Sequence, residues 1–264
     1  MVADVQEIKK WESVEVERSA SEAKRRDAET LRVRQEIIER YLKPPADTFY
    51  SLEYLYHLLG DVTGKIVLDY GCGAGDNSVL IATHGADRVI GVDISTELVE
   101  LAEKRLAAHD LSKNAEFRVG SAHELPLEDE SVDVVFGNAI LHHLDLKLAS
   151  KEVYRVLKKG GRAIFLEPVR NSKFVWFVRN LIPYEQPDLS PFERPLTDAE
   201  LKKFAHEFSG YRSRAFSLPF VNLVEVLGLP EKMMHAAVKI DGRVLKTAKF
   251  LHYYASVRVF EMTK

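Results

Sequence analysis

From Gly64 onward, short apolar runs of β type alternate with stretches of helical periodicity. Lys65 to Asp69 reads as a strand running into Tyr70-Gly71, and Asp76 to His84 as a helix closed by Gly85. Arg88 to Asp93 is a second strand. Ser95 is placed as an N-cap, and Leu98, Leu101, Ala102 and Leu106 fall on one face of the helix behind it. Ala115 to Val119 predicts a third strand, Ser131 to Phe136 leads into a fourth, and Arg162 to Leu166 is a fifth. Between the last two, Leu148 to Leu157 predicts a helix ended by Lys158-Lys159-Gly160-Gly161. Strand–helix alternation with short loops predicts a parallel sheet covered by helices on both faces. In such sheets ligands bind at the carboxyl ends of the strands, near the topological switch point.

The flanks follow other patterns. Residues 1–43 are charged and helix-prone, with arginines alternating with Glu and Asp, and read as a solvated helix face with mixed ion pairs. Lys43-Pro44-Pro45 breaks that helix, and Asp47 to Leu59, rich in Tyr and Leu, predicts another. After Glu167-Pro168 the alternation stops. Asn171 to Pro195 carries Phe174, Trp176, Phe177 and Tyr184 among several prolines. Thr197 opens a helix to about Phe208, with Glu200 three residues on as the second half of a capping box. Tyr211 to Phe220 is a candidate sixth strand, Val221 to Lys249 is largely amphipathic helix, and Tyr253 to Met262 is a last strand. This divides the chain into an N-terminal helical cap (1–60), a ligand-binding core (61–168), and cap insertions followed by strands that complete the sheet (169–264).

Composition excludes more than it assigns. The 264 residues are 46% hydrophobic and 29% charged, ordinary for a globular protein. The formal net charge of −3 gives no drive toward nucleic acid or an anionic membrane. Cys72 is the single cysteine, so no intramolecular disulfide forms, which fits a reducing compartment. The first residues have no apolar signal core, and no apolar run approaches the roughly 20 residues of a membrane span. The expected location is cytoplasmic.

The chemistry concentrates in Val67-Leu-Asp-Tyr-Gly-Cys-Gly-Ala-Gly75, a glycine loop between a strand and a helix. Its spacing departs from the dinucleotide fingerprint, because the position three after Gly73 is Asp76 rather than glycine. No Gly-Lys-Ser/Thr follows, which removes the Walker pattern. Asp69 just before the turn repels a pyrophosphate and suits a ligand with positive charge. Asp93 ends the second strand, where an acid can accept both hydroxyls of a ribose. Its alternative role as a helix N-cap is already filled by Ser95.

These segments, with Val89-Ile-Gly-Val-Asp93, Gly120-Ser-Ala-His-Glu-Leu-Pro126, Asp133 to Leu144 and Glu152 to Gly161, resemble class I S-adenosylmethionine-dependent methyltransferases in order and spacing over about residues 60–168. The nearest resemblance is to small-molecule enzymes related to those of ubiquinone and menaquinone biosynthesis. It implies a Rossmann-like, doubly wound α/β fold with a mostly parallel seven-stranded sheet, helices on both faces and a helical substrate cap. It also implies S-adenosylmethionine as methyl donor, with S-adenosylhomocysteine as product. Asp69, Gly71, Gly73 and Gly75 would line its methionine part, and Cys72 and Asn77 are counted with them. Asp93 would hold the ribose and Ile94 pack on the adenine. Ala122 and His123 would lie by the adenine edge, and Asn138 near the methyl group. Many relatives carry Asp where this chain has Ser121, so Ser121 or a backbone group is left to contact the adenine.

Methyl transfer is an in-line displacement, so alignment dominates, and a base is needed only for a protonated acceptor. His142 and His143 are candidate bases after the fourth strand, or else begin a helix and make structural hydrogen bonds. Glu167 either orients an acceptor hydroxyl or amine, or caps the turn before Pro168. No Asn/Asp-Pro-Pro-Tyr follows the fourth strand, which argues against methylation of adenine or glutamine amino groups. The lone cysteine inside the glycine loop excludes a cysteine-nucleophile mechanism, and no Cys/His cluster suggests zinc. Trp176, Phe177, Tyr184, Phe192 and Phe220 either line a site for a small, partly apolar acceptor or pack the cap. Arg170, Arg179 and Arg194 either pair with an acidic acceptor or are solvated. The leading expectation is methylation of O, N or C of a small metabolite. A tRNA or protein methyltransferase, or a non-methylating member of the fold, is the alternative.

Overall fold

Alternate residues of the central strands fill two separate cores, one on each face of a single sheet. In the computed structural model, residues 5–26, 31–173, 194–218, 221 and 230–264 are described. The elements are α1 (Val5–Arg26), α2 (Gln35–Leu42), α3 (Ser51–Leu59), β1 (Ile66–Tyr70), α4 (Asp76–Thr83), β2 (Arg88–Asp93), α5 (Thr96–Ala108), β3 (Ala115–Val119) and β4 (Val132–Asn138). They continue with α6 (Leu146–Val156), β5 (Leu157–Pro168), α7 (Asp198–Phe204), β6 (Gly210–Phe216), α8 (Glu231–Thr247) and β7 (Val257–Thr263). The sheet has seven strands in the order β3-β2-β1-β4-β5-β7-β6. The first five are parallel, and β7 runs antiparallel between β5 and β6. The mostly parallel seven-stranded sheet expected from the sequence is therefore present. Its order reverses between β1 and β4, so the carboxyl ends of those strands form the switch-point crevice.

Val67, Val89, Val134 and Phe136 point to one face, where Leu55, Tyr56 and Leu59 of α3 and Leu80 and Ile81 of α4 cover them. Leu68, Tyr70, Val135 and Phe165 point to the other, under Val153 of α6 and Leu201 and Phe204 of α7. Each of these side chains is about 4% exposed or less. Full burial of such a side chain contributes roughly 1.5–3 kcal/mol, which explains why the strands read as near-continuous apolar runs rather than as alternating ones. α3 lies inside the stretch expected as a cap, yet it packs directly on the sheet.

Local signals held where capping chemistry was specific. The Ser95 hydroxyl accepts from the Leu98 N–H, and Leu98, Leu101, Ala102 and Leu106 are buried, as the sequence predicts. Thr197 and Glu200 form a complete capping box. Elsewhere tertiary pairing moved boundaries. β5 begins at Leu157 rather than Arg162, because Val132 pairs with Leu157 across a register shift in the β4–β5 ladder. The last strand begins at Val257 rather than Tyr253, since Lys249–Tyr254 form a 3-10 turn. β6 ends at Phe216, short of the expected Phe220. Phe174, Trp176, Phe177, Arg179, Tyr184, Phe192 and Phe220 lie outside the described residues. Among the described residues no helix is long and apolar enough to cross a membrane.

Candidate functional site

The carboxyl ends of β1, β2, β3 and β4 open onto one cavity of about 660 Å3. Its floor is the glycine loop. Gly71 has φ +75°, and a Cβ there would meet the Ile140 side chain at 2.6 Å. Only glycine therefore lets the loop sit this close to the turn after β4. Gly75 has φ +81° and lies against Ala102, where a Cβ would come within 2.8 Å of the alanine Cβ, so it sets the packing of α4 on α5.

The loop's N–H groups are already engaged. Gly71 and Cys72 both donate to the Val92 carbonyl, at 2.9 and 3.1 Å, and Gly75 donates to the Cys72 carbonyl at 3.0 Å. Gly73 donates to the Asp93 carboxylate at 2.9 Å, and the other oxygen of Asp93 accepts from Ser95 N–H at 3.0 Å. Asp93 thus ties the loop to the β2 turn while lining the cavity. Cys72 also lines the cavity; burial, together with Asp69 and Asp93, pushes its thiol well above its ordinary range, so it is no nucleophile.

Of the residues singled out from sequence, Gly71, Cys72, Gly73, Asn77, Asp93, Ile94, Ala122, His123, Asn138 and His143 line this cavity. Asp69, Gly75, Ser121, His142 and Glu167 are not among its lining residues. Asp69 is 1% exposed beneath the loop. One of its oxygens accepts from the Ser78 hydroxyl at 2.6 Å, and the other has no partner. Burial raises its carboxyl to about 7, helped by Asp93 and Asp76 and opposed by the Ser78 bond. Its place is under the loop and not on the cavity wall, whereas the sequence expectation set it along the methionine part of a ligand.

Glu167 does not line the cavity either. It is fully buried, and one oxygen accepts the N–H groups of Ile140 and Leu141 at 2.9 and 2.7 Å. The other lies 3.0 Å from Nδ1 of His142. The reason is local strain. Ala139 sits at φ +58°, an uncommon backbone for a residue with a Cβ, and Glu167 with the Leu166 carbonyl holds the turn that contains it. His142 is anchored by this carboxylate. His143 faces the cavity, its Nδ1 without a hydrogen-bond partner. Burial, then His142 and Arg18, lower its imidazole to about 3, so it is neutral at physiological pH.

The sequence reading missed a whole wall. Ile8, Trp11, Glu12, Glu15 and Ser19 of α1 line the cavity, where the charge pattern had suggested a solvated face. Glu12 accepts from the Ser121 hydroxyl and lies 2.9 Å from Nδ1 of His123. The Asp145 N–H donates to Nε2 of His123 at 3.0 Å, so Nδ1 carries the hydrogen and donates to Glu12. This bond to His123 holds the Glu12 carboxyl below its ordinary range, with help from Ser121 and against the cost of burial. Ser121 therefore lies behind the cavity, engaged by α1. The signal was present: 8, 11, 12, 15 and 19 are one face of a helix. Ile37 and Tyr41 of α2 and Leu52 of α3 extend the wall with apolar groups. Among the described residues no cluster of His, Cys, Asp or Glu is arranged to hold a metal ion.

Residues 68–165 match the family model described as a methyltransferase domain. The demethylmenaquinone methyltransferase of Lactococcus lactis subsp. lactis is 35% identical over 135 residues, 48% of this chain and 53% of that protein. The ubiquinone/menaquinone biosynthesis C-methyltransferase of Geotalea daltonii is 31% identical over 154 residues, 56% of this chain and 64% of that protein. The chain thus spans between about half and two thirds of these relatives. The solved geranyl diphosphate C-methyltransferase of Streptomyces coelicolor shares the fold with a TM-score of 0.58 at 19% identity, over 80% of this chain and 74% of that one. Residues 68–165 thus match a methyltransferase domain. The relatives it matches include methyltransferases of ubiquinone and menaquinone biosynthesis, the group that the motifs resemble.

Proposed function

We propose that the protein is an S-adenosylmethionine-dependent methyltransferase acting on O, N or C of a small organic acceptor. The observation that carries this reading is the state of the glycine loop. The N–H groups of Gly71, Cys72, Gly73 and Gly75 are all bonded within the protein, so they do not form the cradle of free donors that a phosphate requires. The cavity presents a carboxylate at Asp93 instead, beside apolar Ile94, Leu98 and Ala122. That combination fits a cationic nucleoside without phosphate. Asp93 would accept the ribose hydroxyls, Ile94 and Ala122 would pack on the adenine, and Gly71, Gly73 and Asn77 would line the methionine end. Asn138 would sit at the methyl-bearing end.

When bound, the cofactor supplies a methyl group on a sulfonium with a neutral leaving group. The chain's part is to orient the acceptor and keep water out, which Trp11, Ile37, Tyr41 and Leu52 on the opposite wall suit. Orientation of this kind contributes up to roughly 7–11 kcal/mol. A base whose conjugate acid lies near 3 removes protons poorly at neutral pH. We assign His143 as a neutral hydrogen-bond partner of the acceptor, and Glu167 with His142 as the pair that holds its turn. The near-neutral charge of the chain supports a small-molecule partner over nucleic acid, and the single buried cysteine supports a cytoplasmic setting.

Isothermal titration with S-adenosylmethionine and, separately, with NAD tests the reading. Micromolar binding of the former alone is expected, followed by transfer of a labelled methyl group to small acceptors. Binding of NAD alone, or of neither, overturns it.

A further inference from the structure

The outward face of α8 carries what the cavity does not use. α8 is 17 residues long, about 25 Å of helix. Its inner side is fixed to the body. Asp241 is 2% exposed and accepts the Leu218 N–H at 2.9 Å, Leu245 is buried, and Gly242 lies so close to Phe49 that a Cβ would come within 2.1 Å of the ring. The opposite side holds Met233 and Ile240, 48% and 58% exposed and two turns apart on one row. The chain then enters the 3-10 turn Lys249–Tyr254, where Phe250 is 76% and Tyr253 51% exposed.

A second row runs beside the apolar one. Lys232, Lys239 and Lys246 recur every seven residues, and Arg243 and Lys249 continue the positive edge; all five are exposed. Lys246 leans toward the 47–49 loop, donating to the Asp47 carbonyl at 3.1 Å and lying over the Phe49 ring. Of the two acids in this helix, Asp241 is turned inward and bonds Leu218. A chain of net charge −3 therefore concentrates cations along one exposed apolar ridge.

We propose that this ridge docks the protein on an anionic lipid bilayer surface. Large exposed apolar side chains beside a row of Lys and Arg are the chemistry of a helix that lies in the membrane interface, apolar groups among the acyl chains and cations at anionic head groups. A protein partner would have to be acidic and apolar together over the same 25 Å of helix. A second copy pairing antiparallel through this ridge would set the two lysine rows side by side and repel. The inference is independent of the reaction, since none of these residues lines the cavity.

Flotation of the full chain with vesicles tests it, comparing pure phosphatidylcholine with phosphatidylcholine containing phosphatidylglycerol. The protein should float with the anionic vesicles alone and be released as salt rises. Lys239→Glu/Arg243→Glu and, separately, Ile240→Ser/Phe250→Ser should each weaken this by about tenfold or more, with thermal melting unchanged because the residues are exposed. No flotation with anionic vesicles, or flotation that both double variants retain, overturns the proposal. So does a concentration-dependent dimer that Ile240→Ser/Phe250→Ser abolishes, which assigns the ridge to a second copy.

Discussion

Two fully buried carboxylates stand at the carboxyl ends of two parallel strands, and they are in opposite states. Glu167, at the end of β5, has both oxygens engaged by two backbone N–H groups and His142. Asp69, at the end of β1, has one oxygen on Ser78 and the other without a partner, and its carboxyl is raised to about 7. Burial alone is costly to a carboxylate, and hydrogen bonds decide whether the cost is offset. At β5 they are complete, and the carboxylate works as a structural clamp on a strained turn. At β1 they are half complete, and the acid lies under the glycine loop with its protonation open to change.

The largest expected effect breaks the clamp. Glu167→Ala leaves the Ile140 and Leu141 N–H groups and His142 unpaired and should cost about 3 kcal/mol in chemical denaturation. Glu167→Gln keeps an acceptor for the two N–H groups and should cost under about 1 kcal/mol. Equal, small losses in both would remove the clamp from the account.

Next comes the carboxylate that reaches the cavity. Asp93→Ala should weaken S-adenosylmethionine binding tenfold or more by calorimetry, about 1.4 kcal/mol. Unchanged affinity in a folded variant would reject its ribose role.

Asp69 sharpens the comparison through pH. In the fold its carboxyl titrates at about 7 against an ordinary 3.8, so between those values the folded chain holds a proton that the unfolded chain has released. Stability from this group falls as pH rises through that window, by up to about 1.4 kcal/mol per unit, and levels off above it. Asp69→Asn should flatten that slope, seen in melting curves from pH 4 to 8.

His143 shows the opposite sign. Its imidazole is depressed to about 3 from 6.5, so the unfolded chain binds a proton first and stability is lost as pH falls from 6.5 toward 3. His143→Gln should lessen that loss, and at pH 7.5 it should lower turnover several-fold without moving cofactor affinity. A variant that loses cofactor binding instead would place His143 on the wrong half of the cavity.

The chain by itself determined the sheet and the glycine loop. Apolar runs that must be buried on both faces, caps such as Ser95 and Thr197, and glycines where a side chain would clash are local requirements, and sequence displays local requirements directly. Strand partners, and the reach of β5 back to Leu157, depend on pairing across the sheet. The roles of the acids were decided only in three dimensions. Asp69 and Glu167 look alike in sequence, each an acid closing an apolar strand, and differ through the groups that other segments bring to them: Ser78 for one, Ile140, Leu141 and His142 for the other. The same holds for α1. Its charges read as solvated until Ser121 and His123 are folded beneath Glu12, because a charge pattern along one helix does not show which of its faces another part of the chain will cover.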